Sequence, residues 1–188
     1  MVLLIQFYND QDWIQFRALE LQSLLELHHI QIDSQIEVTS SMLFILDIEY
    51  MEEVIQQICQ RSVLIKSIYE LIASHPNNIE ELVKQVFQST YWQSIQFEYL
   101  NKSWNLQVHS LNKTLSHEEK EQFRQLFTKE LPLTGEIDLQ SPQQEFHLIM
   151  EYPFNSSSEI SKSSHSIPMY FGKLLSRGGM REVRTIFE

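Results

Sequence analysis

Three groups of side chains carry the types that chemistry needs: the histidines His28, His29 and His75, the adjacent carboxylates Glu118 and Glu119, and the thiol of Cys59. A metal reading of the histidines fails on spacing, because no Cys, Asp or Glu falls where it would complete a ligand set; His28 and His29 read as helix-end residues. Glu118 and Glu119 could suggest an acid/base pair, but neighbours on a helix do not share a face. Three residues after Ser116, Glu119 reads instead as the second half of a capping box, in which serine and glutamate each bind the other's backbone amide. Cys59 shares the apolar stripe of a predicted helix with Ile55 and Ile58, so a buried core thiol is the expectation. No catalytic or metal-ligating residue is therefore assigned.

Cations and aromatic rings offer a different chemistry. Lys113 falls between a predicted strand and the capped helix, where a phosphate can approach helix amides. Arg177, Arg181 and Arg184 follow the last predicted strand and read either as phosphate contacts or as ordinary solvated end residues. Tyr91, Trp92, Phe97, Tyr99 and Trp104 form the densest aromatic cluster. Bases stack on such rings, but filling a core between two subdomains is the preferred reading.

The elements that must position these residues follow from periodicity. Val2–Tyr8 reads as a strand, and 12–28 has helical spacing through Trp13, Phe16, Leu19, Leu24 and Leu27, with Asp10 or Asp12 as cap. Gln31–Val38 alternates as a half-buried strand, 42–48 as its partner, 50–60 as a helix and 63–72 as a further strand. The order is βαββαβ, the split βαβ signature of a ferredoxin-like fold. After His75-Pro76-Asn77-Asn78, a helix is predicted over 79–88 with Asn78 as cap, and a strand over 104–111. The capped helix runs from Ser116 to about Glu130, with strands at 136–139, 145–152 and 169–175. The segment at about 153–167, rich in serine and charge, reads as a mobile loop. The fold class is α+β: a ferredoxin-like domain over 1–75 and an α/β module over 76–188.

Charge is uneven. The chain carries −11 overall, yet residues 1–75 hold three cations against eleven acids, a net of −8. Residues 162–188 hold five cations against two acids, a net of +3. A cationic end on an acidic body can still hold phosphate locally. The longest apolar run after the first strand, Met42–Leu46, is too short to cross a bilayer. The apolar start lacks a basic n-region and reads as a strand rather than a signal peptide. With one cysteine in the chain, a reducing, cytoplasmic location is the expectation.

The segment His109-Ser-Leu-Asn-Lys-Thr-Leu-Ser-His-Glu-Glu-Lys120 resembles a strand–turn–helix of the tRNA guanine-N2 methyltransferases that act at position ten. Leu131–Phe146 is similar to the stretch that follows in that family, and Met169-Tyr-Phe-Gly-Lys173 to the closing strand of its RNA-binding THUMP module. Residues 12–27 resemble the family's first helix, and Lys66-Ser-Ile-Tyr-Glu70 its fourth strand. The resemblance implies that the 76–188 module is of THUMP type and that the chain binds tRNA. It implies contacts at Asn112, Lys113, Lys173, Arg177, Arg181 and Arg184.

In that family the region acts as a ruler: the module grips the 3′ end of tRNA, and a separate catalytic domain transfers a methyl group from S-adenosylmethionine. A small zinc-containing activator binds chiefly that catalytic domain. The only glycines here are Gly135, Gly172, Gly178 and Gly179, and no acidic Pro-Pro-Tyr motif occurs. The expectation is a tRNA-binding part with no cofactor of its own. The rival is an acidic scaffold or interaction protein that has lost RNA binding.

Overall fold

The computed structural model describes residues 2–9, 11–32, 36, 41–49, 51–130, 133–153 and 166–178. Among the described residues the fold is α+β, a mixed six-stranded sheet with five α-helices, in the strand order β2-β1-β3-β6-β5-β4. Contacts divide the chain into a first unit, 1–70 with 174–188, and a second unit, 71–173.

In the first unit, β1 (Val2–Phe7) pairs antiparallel with both β2 (Leu43–Asp47) and β3 (Ile65–His75). As the middle strand it is buried almost throughout, which suits its run of Val, Leu and Ile. Helices α1 (Ile14–Leu27) and α2 (Glu52–Arg61) supply Leu21, Leu25, Ile55, Ile58 and Cys59 to the core. Trp13, the residue at the start of α1, makes no side-chain cap bond, and the helix continues from a 3-10 turn over Gln11–Trp13; Asp10 lies outside the described residues. Its end is closed by His29 in the left-handed region (φ 58°), with His29 N–H bonded to Glu26 O and Ile30 N–H to Leu25 O. That is a Schellman closure, so these histidines serve the helix end. Burial pushes the Cys59 thiol up to about 11, as suits an inert core thiol. Of the predicted strand over 31–38, residues 33–35 and 37–38 lie outside the described residues. Ile32 and Ile36 pack against the core.

In the second unit, β5 (Gln144–Glu151) runs parallel to β4 (Trp104–Leu111) and antiparallel to β6 (Met169–Arg177). Helices α3 (Ile79–Gln88), α4 (Thr90–Tyr99) and α5 (His117–Glu130) pack on a core built around Trp92, Phe127, Phe146 and Phe171. One element here was not anticipated and one expectation fails. The 90–99 stretch, read only as an aromatic cluster, is a helix. Ser89 caps it by accepting from Trp92 N–H at 3.3 Å. The strand expected at 136–139 is reduced to one bridge, Ile137 beside Trp104, because Asp138 turns the chain by accepting from the amides of Gln140 and Ser141. Most of the 153–167 loop, residues 154–165, lies outside the described residues.

Candidate nucleic-acid interface

The turn after β4 is built by short-range bonds. Asn112 takes a left-handed backbone (φ 64°), which asparagine tolerates better than most residues. Its side-chain amide donates to Tyr152 O at 2.8 Å, and Ser110 Oγ donates to Lys113 O at 2.6 Å. The capping box then opens α5: Ser116 N–H donates to Glu119 Oε2 at 2.7 Å, and Glu119 N–H donates to Ser116 Oγ at 3.1 Å. The other carboxylate oxygen of Glu119 meets Lys113 Nζ at 3.3 Å, and that ammonium also lies 4.9 Å from the Tyr152 ring centroid. The Ser116 amide, then Lys113, hold the Glu119 carboxyl below the usual carboxylate range. Because its folded value is lowered, its contribution is present at neutral pH and is lost as pH falls through that lowered value. Replacing Ser116 with alanine should cost about 1 kcal/mol. Thermal melts that left the transition unmoved would place the helix start elsewhere.

Lys113 and Lys173, the expected cations of the second unit, stand apart. Residue pairing puts Lys173 opposite Phe146 and so level with Leu106, on the face that carries the helices, where its Nζ lies 5.1 Å from the Tyr99 ring centroid. Lys113 stands beyond Leu111, at the far end of β4. Five strand positions from Leu106 to Leu111 separate them by roughly 16 Å along the sheet. Arg177, exposed at the end of β6, belongs to the first unit. Arg181 and Arg184 lie outside the described residues.

Lys102 was not singled out in the sequence. Its Nζ lies 5.7 Å from the same Tyr99 ring. It sits alone between Asn101 and Ser103, and no local pattern marks it. Of the aromatic cluster, Trp92, Tyr99 and Trp104 are buried in the core of the second unit, whereas Phe97 is 72% exposed. The buried rings offer no free face for a base.

Gly135, Gly172 and Gly178 do not form a cofactor cradle. Gly135 and Gly178 pass against backbone carbonyls, where an added Cβ would lie 1.9 Å from Lys102 O and 2.0 Å from Ile65 O, respectively. Gly172 is buried within β6 opposite His147, and Gly179 lies outside the described residues. The described glycines thus serve close chain approaches and a strand interior, not a loop between strand and helix. No helix among the described residues is long and apolar enough to cross a membrane.

A family model described as the Tmrp11 THUMP N-terminal domain matches residues 1–180. The TRMT11 tRNA (guanine(10)-N(2))-methyltransferases of Bos taurus and Homo sapiens are each 31% identical over 170 residues, covering 89% of this chain and 35% of each relative. The Saccharomyces cerevisiae tRNA (guanine(10)-N(2))-methyltransferase is 29% identical over 170 residues, covering 88% and 37%. The chain thus spans about a third of the length of the curated relatives it matches.

Among solved structures, PH1313 from Pyrococcus horikoshii superposes with a TM-score of 0.55 at 11% identity, over 94% of this chain and 55% of that one. TrmN from Thermus thermophilus gives 0.52 at 9% identity, over 96% and 47%. At such identities the likeness concerns the fold alone.

Proposed function

Because the chain belongs to the family of the Tmrp11 THUMP N-terminal domain, we propose that it is the tRNA-binding part of a tRNA guanine-N2 methyltransferase acting at position ten. The observation that carries this reading is the family match over residues 1–180. Residues 1–75 serve as the ferredoxin-like domain and 76–188 as the THUMP module. The module docks the 3′ end of tRNA, and a separate catalytic domain, which holds S-adenosylmethionine, meets the guanosine at a distance set by that grip. The small zinc-containing activator engages that catalytic domain, and the work is done in the cytoplasm.

Asn112, Lys113, Lys173, Arg177, Arg181 and Arg184 are the proposed contacts. For Lys113 the chemistry is an exchange: a phosphate takes the ammonium that Glu119 now holds at 3.3 Å. Exposed pairs of this kind are weak, and a polyanion displaces the carboxylate at low salt.

Titration of the chain with tRNA, and with tRNA lacking its 3′ tail, tests the reading. Removing the tail should weaken binding. Lys113→Gln should weaken it too, lowering the salt slope by about one for the lost contact. No binding of the parent chain at low salt, or equal affinity for both RNAs, would overturn the proposal.

A second reading, an interaction protein without RNA, draws on the first unit. There Trp13, Phe16, Leu19 and Val63 are 41–60% exposed along one groove. With the net charge of −8 over residues 1–75, such a surface suits a cationic, amphipathic protein segment and repels phosphate. Loss of tRNA binding in the parent chain would move this reading ahead.

A further inference from the structure

We infer that Lys102 and Lys173, gathered on Tyr99, form a phosphate-binding site; its assignment to RNA rests on the tRNA reading above, but the site itself does not. Lys102 Nζ lies 5.7 Å and Lys173 Nζ 5.1 Å from the Tyr99 ring centroid, and Lys173 Nζ is 3.5 Å from the Tyr99 hydroxyl. The two ammonium groups are therefore within about 11 Å of each other.

Three other cations in the second unit are answered by acids: Lys84 by Glu81 at 2.7 Å, Lys113 by Glu119 at 3.3 Å and Arg124 by Glu121 at 3.2 Å. Lys120 and Lys129 of α5 make no such pair among the described residues, but they are not gathered with a second cation on one ring. Among the described residues no carboxylate pairs with Lys102 or Lys173. The ring they share attracts each ammonium through its quadrupole but brings no charge to cancel it. In a chain of net charge −11, two unanswered cations brought to one ring make a local positive potential that an anion relieves.

The site is also held in place. Tyr99 is buried, with its ring 6.5 Å from Trp92 and 5.9 Å from Phe146, so the platform does not turn. Lys102 follows α4 in a turn closed by its own N–H on Tyr99 O at 3.1 Å. Thr134 and Gly135 clamp that turn by donating their amides to Leu100 O at 2.9 and 2.8 Å. Lys173 is fixed by strand pairing opposite Phe146. A ligand therefore orders little beyond the lysine stems, and a preorganised site loses less on binding. Two compact ammonium donors without a planar fork suit phosphate oxygens as point charges. The buried ring excludes base stacking, so the site is expected to be indifferent to sequence.

Inorganic pyrophosphate, followed by amide chemical shifts of the full 188-residue chain, tests the inference. The signals of Lys102 and Lys173 should move, and Lys102→Gln or Lys173→Gln should weaken binding roughly fivefold or more, while Lys129→Gln leaves it unchanged. With tRNA, each of the two variants should lower the salt slope by about one. Pyrophosphate shifts that map elsewhere in the parent chain, or equal affinity in all variants, overturn the site. The parental shift map decides this even if a variant fails to fold. A pyrophosphate site at these lysines in a chain that does not bind tRNA would instead sink the tRNA reading and leave the anion site standing.

Discussion

Replacing Phe171 with alanine is expected to cost the second unit about 3–5 kcal/mol, a large part of what a small domain possesses. The ring is fully buried. It stacks on Phe127 at 4.8 Å and on Phe146 at 5.8 Å, and meets Trp92 edge-on at 6.3 Å. Those partners come from α5, β5 and α4, so three elements would have to move together to fill the cavity. Each is tied elsewhere, and the site should collapse poorly. Urea unfolding followed by tryptophan fluorescence reads the change, since Trp92 and Trp104 belong to this core. Phe97→Ala is the control: that side chain is 72% exposed, and its loss should move stability by no more than about 0.5 kcal/mol. A Phe171→Ala loss below about 1 kcal/mol would mean the ring stack is not packed as described.

Gly135→Ala should cost about 1–3 kcal/mol, for a different reason. A Cβ there would lie 1.9 Å from Lys102 O, 2.6 Å from Lys102 C and 3.2 Å from Asn101 C. All three are backbone atoms, so no rotamer change relieves the contact and the two segments must separate. Separation strains the bonds they exchange: Gly135 N–H to Leu100 O at 2.8 Å, Trp104 Nε1–H to Gly135 O at 3.0 Å and Trp104 N–H to Glu136 O at 3.0 Å. The same movement shifts the turn that carries Lys102. The variant should therefore melt earlier and bind pyrophosphate more weakly than the parent at a temperature where both are folded. An unchanged melt would show that the approach is looser than these distances.

What the sequence by itself determined are the elements whose signals are local. Asn78 caps α3 by accepting from Glu81 N–H at 3.0 Å, and the helix ends at Gln88 as its periodicity predicts. Trp104–Leu111 is a strand with the predicted limits, and the Ser116–Glu119 box forms reciprocally. In each case the partners lie within a few residues, so spacing encodes the bond. Helix α4 escaped the reading because Trp92 and Tyr99, its only two buried residues, stand seven apart, and its tyrosines, tryptophan and phenylalanine favour strands as readily as helices.

The candidate site was legible in part. Lys113 was found from its turn, but nothing local shows that Glu119, already committed to the cap, also holds its ammonium. The meeting of Lys102 and Lys173 at Tyr99 was decided only by tertiary structure. Lys173 reaches Tyr99 across 74 residues of sequence, through a strand register and a helix packed on that face. Such a meeting depends on which strands pair and in what alignment. That alignment follows from the burial of Phe146, Phe171 and their partners together, not from any spacing around the lysines themselves.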